Sequence, residues 1–102
     1  MNDDTSLLAL LRRHLPDASE TDAELLAILD DAASLICALT WRLCVPEPLR
    51  NAQVRLAVVM YNRRGMEGES EHTEGDVRRG VSGLPAELRT EIYAYRMARV
   101  GL

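Results

Sequence analysis

Lysine and phenylalanine are both absent from the 102 residues of this chain, and one Trp and three Tyr are its only aromatics. Val and Ile together number 10, against 28 for Leu and Ala. Strands draw on β-branched and aromatic side chains, while helices draw on Leu and Ala. The shortage therefore argues against a sandwich or barrel and for an all-α protein. Positive charge is short as well, with 12 Arg against 16 acids and a net charge of −4. Such a chain has no overall field with which to grip nucleic acid. Using Arg alone fits a GC-rich genome and says nothing about chemistry. The longest unbroken apolar run, Leu56–Tyr61, is far too short to span a membrane. Met1-Asn2-Asp3-Asp4 has neither a basic nor an apolar stretch, so no secretory signal is expected.

Only two cysteines are present, Cys37 and Cys44. Placed on one helix, they would stand about 10 Å apart, beyond the roughly 7 Å a disulfide allows. They read as free thiols in a reducing compartment.

The remaining residues make a soluble composition, 47% apolar and 27% charged. The length suits one domain, spanning residues 1–102. Charge is uneven. Residues 1–48 hold nine acids and three Arg, and residues 49–102 hold seven acids and nine Arg.

Four helices are expected. The first covers about Ser6–Leu15, capped by Asp4 or Thr5 and ended by Pro16, with Leu7, Leu8, Leu11 and Leu15 as its stripe. The second opens with a capping box, Thr21 and Glu24, and runs to about Arg42. On it, Leu25, Ile28, Leu29, Ala32, Leu35, Ile36, Leu39 and Leu43 fall on one broad face. Ala27, Asp31, Ser34 and Ala38 lie opposite, and Trp41 lies off the stripe, as a lid on the first helix or a contact for a partner. The third runs from about Pro48 to Arg64, with Gly65 past its end. It is apolar nearly all round, which suits the centre of a bundle or an interface with another chain. The second and third helices are expected to form the central antiparallel pair. The last runs from Leu84-Pro85 to about Arg99. Leu84, Leu88, Ile92 and Tyr95 are its core stripe, and Tyr93, Met97 and Val100 form a second one.

Between the last two helices, Gly65–Gly83 holds five glycines and no lasting periodicity. A loop of this length is unusual inside a small domain; such loops are functional, disordered, or ordered only in an assembly. A two-stranded hairpin near Glu74–Val81 is compatible with its sequence. The fold expected is thus a small all-α four-helix bundle with a long Gly/Glu-rich loop.

No motif for catalysis or metal binding emerges. His72 among Glu69, Glu71 and Glu74 fits no zinc or calcium spacing. Cys37, Cys44, His14 and His72 lack the close cysteine pair of a zinc site. Ser70 near His72 is no hydrolase motif, and Gly65, Gly68 and Gly75 match no nucleotide-binding loop.

One stretch does carry a pattern: Tyr61-Asn62-Arg63-Arg64-Gly65-Met66-Glu67-Gly68-Glu69-Ser70, continued by His72, Glu74-Gly75 and Val77-Arg78. Leu84-Pro85 and Tyr95-Arg96 complete it. Together these residues resemble the head–tail connector family of tailed double-stranded DNA phages and prophages, also called adaptor or head-completion proteins. The close likeness covers about Ala57–Val100, while the first half matches only in plan. Arg79-Gly80 departs from the polar–bulky pair usual there, so no packing role carries over to it.

The resemblance implies a structural, non-enzymatic protein without cofactor. It implies a ring, commonly of twelve copies, that lies below the portal at the virion neck and is assembled in the host bacterial cytoplasm. The ring extends the DNA channel, lets double-stranded DNA pass without sequence-specific binding, and offers a platform to a stopper or tail-proximal neck protein.

On that footing, Arg89, Tyr93, Arg96, Met97, Arg99 and Val100 are candidate portal contacts, since Arg pairs well with carboxylates. Val54, Val58, Tyr61, Arg63, Arg64, Arg78 and Arg79 are candidates for the interface between subunits. Some of Glu67, Glu69, Glu71, Glu74 and Asp76 are expected to face the channel; the alternatives are that these acids are solvated on the outer rim, or that they pair with Arg78, Arg79 or a neighbour's Arg63 and Arg64 and lock the ring. Two rival classes remain: a small dimeric helical regulator or partner-binding protein, which would lack a basic recognition helix, and a small enzyme, which would lack a nucleophile or base constellation.

Overall fold

The capping box at Thr21 forms as its spacing predicts. Thr21 Oγ1 accepts the Glu24 N–H at 3.1 Å, and Glu24 Oε1 accepts the Thr21 N–H at 2.9 Å. The helix it starts, α2, spans Asp22–Thr40 in this computed structural model, which describes residues 4–67 and 84–97. Before it comes α1, Asp4–His14; after it come a short 3-10 turn, Glu47–Leu49, and then α3, Arg50–Glu67, and α4, Ala86–Tyr93. Among the described residues these four α-helices are joined by no strand. The all-α expectation holds, while the hairpin expected near Glu74–Val81 lies outside the described residues.

The apolar periods become the core. Leu7, Leu11 and Leu15 of the first segment meet Leu25, Ile28, Leu29, Ala32, Leu35, Ile36 and Leu39 of α2. Leu49 of the 3-10 turn and Ala52, Val54, Leu56 and Ala57 of α3 close over them, with Leu84 just before α4 and Leu88 and Ile92 on it. A fully enclosed Leu such as Leu11, Leu25 or Leu49 contributes about 2 kcal/mol through the apolar area it removes from water.

α2 packs chiefly on α3, and α1 and α4 both lie against this pair. Two cross-links give its direction. Gln53 Nε2 donates to Leu29 O at 3.0 Å, and Tyr61 Oη donates to Glu20 Oε1 at 2.8 Å. Residue numbers rise along one helix as they fall along the other, so the pair is antiparallel. Gln53 is buried, and its Oε1 has no partner. α4 is pinned to α3 where Arg55 Nη2 meets both oxygens of Glu91, at 2.7 and 2.9 Å. α1 is tied to the start of α2 by Arg12, which donates to Asp22 Oδ1 at 2.7 Å and to Glu20 O at 2.9 Å.

Three helix ends differ from the sequence reading. α3 continues through Gly65 to Glu67. A glycine costs a helix about 1 kcal/mol, which need not end it. α2 stops at Thr40, because Trp41 adopts the left-handed conformation (φ 60°, ψ 37°). Leu43 therefore leaves the apolar stripe and stands 100% exposed. α4 stops at Tyr93 instead of about Arg99. The N–H groups of Tyr95 and Arg96 reach back only three residues, to Ile92 O and Tyr93 O. The Met97 N–H then leaves the helix ladder for Thr40 O at 2.9 Å. Among the described residues no helix is long and apolar enough to cross a membrane.

Candidate functional site

A helix ends with carbonyls that its own ladder cannot satisfy. At the end of α2 the chain meets this need from two directions. Cys37 O accepts the N–H groups of both Trp41 and Arg42, closing the helix through a left-handed residue. Leu39 O accepts Arg96 Nε at 3.2 Å, and Thr40 O accepts the Met97 N–H. In return Arg42 Nε donates to Tyr95 O at 2.8 Å. The segment after α4 is thus clamped across the end of α2.

Arg96 holds the centre of this clamp. Its guanidinium carbon lies 4.4 Å from the Trp41 ring centre and 4.6 Å from that of Tyr93. Both separations place the cation within reach of the aromatic quadrupoles. Trp41 is the one non-glycine residue with positive φ among the described residues. A bulky side chain in that region costs about 1–2 kcal/mol, where Gly would cost almost nothing. The indole is nonetheless 42% exposed, and Met97 is 45% exposed beside it. Leu43, two residues beyond Trp41, is exposed as well, and Arg42 and Arg96 bring positive charge to this end. Nearby, burial pushes the Cys37 thiol above its usual pKa, and Cys44 adds to the shift. Both cysteines are free. The reason differs from the one read in the sequence, because Cys44 lies beyond the end of the helix that carries Cys37.

The structure brings three of the expected portal contacts, Tyr93, Arg96 and Met97, to one place. Arg89 is half-buried on α4, and Arg99 and Val100 lie outside the described residues. Among the expected subunit contacts, Val58, Tyr61 and Arg63 are half-buried on the later turns of α3. Val54 is not available to a neighbour: it is 0% exposed within the chain's own core. Arg64 and Glu67 fall in the last turn of α3; Arg78, Arg79, Glu69, Glu71, Glu74 and Asp76 lie outside the described residues. Sequence reasoning missed Leu43 as a surface residue. It gave Trp41 a place on the first helix or a partner, and the structure sets it against Arg96. No local signal marks either one, because tryptophan is not a stop residue.

The family model for the Phage gp6-like head-tail connector protein matches residues 7–96. The chain belongs to that family. This connector is accordingly a structural protein of the phage head–tail junction, and its family is a structural one. No curated protein and no solved structure matches it. The matched span ends at Arg96, so the connector's clamp falls within it, up to and including its central cation.

Proposed function

We propose that this connector forms a ring, of twelve copies, below the portal of the filled capsid. It extends the DNA channel and presents its other side to a stopper or tail-proximal neck protein. Residues 1–102 act in it as one helical domain. The family match over residues 7–96 carries the reading. Tyr93, Arg96 and Met97, with Arg89, Arg99 and Val100, face the portal. Subunits meet through Val58 and Tyr61 on α3, joined by Arg63, Arg64, Arg78 and Arg79. What supports this is the change along α3. Its first turns are enclosed by the chain itself, while Val58, Val59, Met60 and Tyr61 keep part of their surface open.

Glu67, Glu69, Glu71, Glu74 and Asp76 form a negative collar around the channel. Double-stranded DNA passes it without sequence-specific binding, repelled over a range of about 8 Å in physiological salt. The reading involves no cofactor, no catalytic step and no membrane, and it places assembly in the host bacterial cytoplasm. Mixing the purified protein with portal rings from the same phage, followed by electron microscopy, tests it. Closed rings stacked on the portal are expected. Protein that neither closes into rings nor joins portals would overturn the reading.

A further inference from the structure

We infer that Cys37 and Cys44 are a thiol pair which exchange with a small-molecule disulfide joins into one disulfide, locking the far end of α2. Neither the ring nor the portal enters into this chemistry.

On one continuous helix the two cysteines would be out of reach of each other. The fold removes that obstacle. α2 stops at Thr40, Trp41 turns left-handed, and Cys37 O accepts the N–H groups of both Trp41 and Arg42, the second at 3.1 Å. Arg42 thus stands against the turn of helix that carries Cys37. The chain then bends at Leu43 and Cys44 and comes back to the core at Val45, which packs against it. Cys44 is therefore held between two anchored residues, Arg42 and Val45. At about 3.8 Å per residue there is little chain between them with which to move away. Electrostatics agrees with this placement. Burial raises the Cys37 pKa, and a charge on Cys44 raises it further, an influence that fades with distance.

The two thiols differ in access, and that sets their order of reaction. Cys44 is exposed and Cys37 half-buried, so Cys44 is the thiol that meets the oxidant. Its thiolate attacks one sulfur of the small disulfide, forming a mixed disulfide and expelling one thiolate. Cys37 gives its proton to water and attacks the Cys44 sulfur, expelling the second thiolate. Two protein thiols are oxidised to one disulfide, and the small disulfide is reduced to two thiols. The new bond closes a loop around Trp41, restricts the unfolded chain and holds the left-handed turn in place. On the assembly reading above, the pair stays reduced in the host cytoplasm and closes after release into oxidising surroundings.

The full-length reduced protein is incubated with oxidised glutathione at about pH 8 and followed by intact mass. The wild type should lose two hydrogens and retain no glutathione. Cys37→Ser should stop with one glutathione on Cys44. Cys44→Ser should take up glutathione several-fold more slowly than Cys37→Ser does. The oxidised wild type should melt at least about 5 °C above the reduced form, and added reductant should abolish the gap. Two glutathiones retained on the wild type, or a disulfide-linked dimer, would overturn the pairing. Equal melting of the two forms would overturn the lock. Uptake by Cys44→Ser as fast as by Cys37→Ser would overturn the order of attack. The wild-type mass decides the pairing by itself, whatever the stability of the two variants.

Discussion

The two ends of α2 are closed by different kinds of chemistry. At its start, Thr21 and Glu24 satisfy each other's backbone within a single turn. At its finish, Leu39 and Thr40 depend on Arg96 and Met97, which arrive from more than fifty residues away. The first end can form as soon as the local chain turns. The second is complete only once α4 has docked. One end is thus a property of a short sequence, the other a property of the tertiary fold, and it is the second that leaves Trp41 and Met97 exposed.

Arg96→Ala should have the largest effect on this contrast. It removes two ring contacts and the bond to Leu39 O, so a loss of about 2 kcal/mol is expected in urea unfolding. A loss under about 0.5 kcal/mol would mean that the far end of α2 closes unaided. Thr21→Ala comes next, at about 1 kcal/mol, the usual cost of removing a capping hydroxyl. Trp41→Gly should change stability by less than about 0.5 kcal/mol, because relief of the left-handed strain offsets the lost stack on Arg96. The same substitution made on top of Arg96→Ala should be more favourable than it is alone by about 1 kcal/mol, since the stack on Arg96 is already gone. Equal effects in the two backgrounds would show that Trp41 and Arg96 are not coupled.

The smallest expected effect leaves stability alone. Burial raises the pKa of the Cys37 thiol, so less of it is thiolate at a given pH. Alkylation followed by mass spectrometry near pH 8 should modify the exposed Cys44 first. Cys37 should gain reactivity as the pH rises past the ordinary thiol range of about 8.5.

The same contrast explains what could be read before any coordinates. Leu25, Ile28, Leu29, Ala32, Leu35, Ile36 and Leu39 recur every three or four residues, and all are buried. Period and burial are linked by helix geometry alone, so this face of α2 was legible. Leu43 continues the period and yet lies in solvent, because Trp41 breaks the helix two residues earlier without a glycine to announce it. The stop of α4 at Tyr93 was hidden for a similar reason: Met97 gives its N–H to a carbonyl of another helix. The stripe Leu84, Leu88 and Ile92 reached the core as expected, whereas the grouping of Tyr93 and Met97 arises from the clamp and not from one helical face. Val54 shows the converse. Its place on an apolar helix suggested an outer contact, but the three other helices suffice to enclose that part of α3.

A cryo-electron microscopy map of the head–tail junction tests the central claim most directly, because it places the connector's own ends within the particle. The account predicts a ring of this subunit under the portal, with Tyr93, Arg96 and Met97 turned toward portal density. A ring in which that end faces solvent or a neighbouring copy would contradict it.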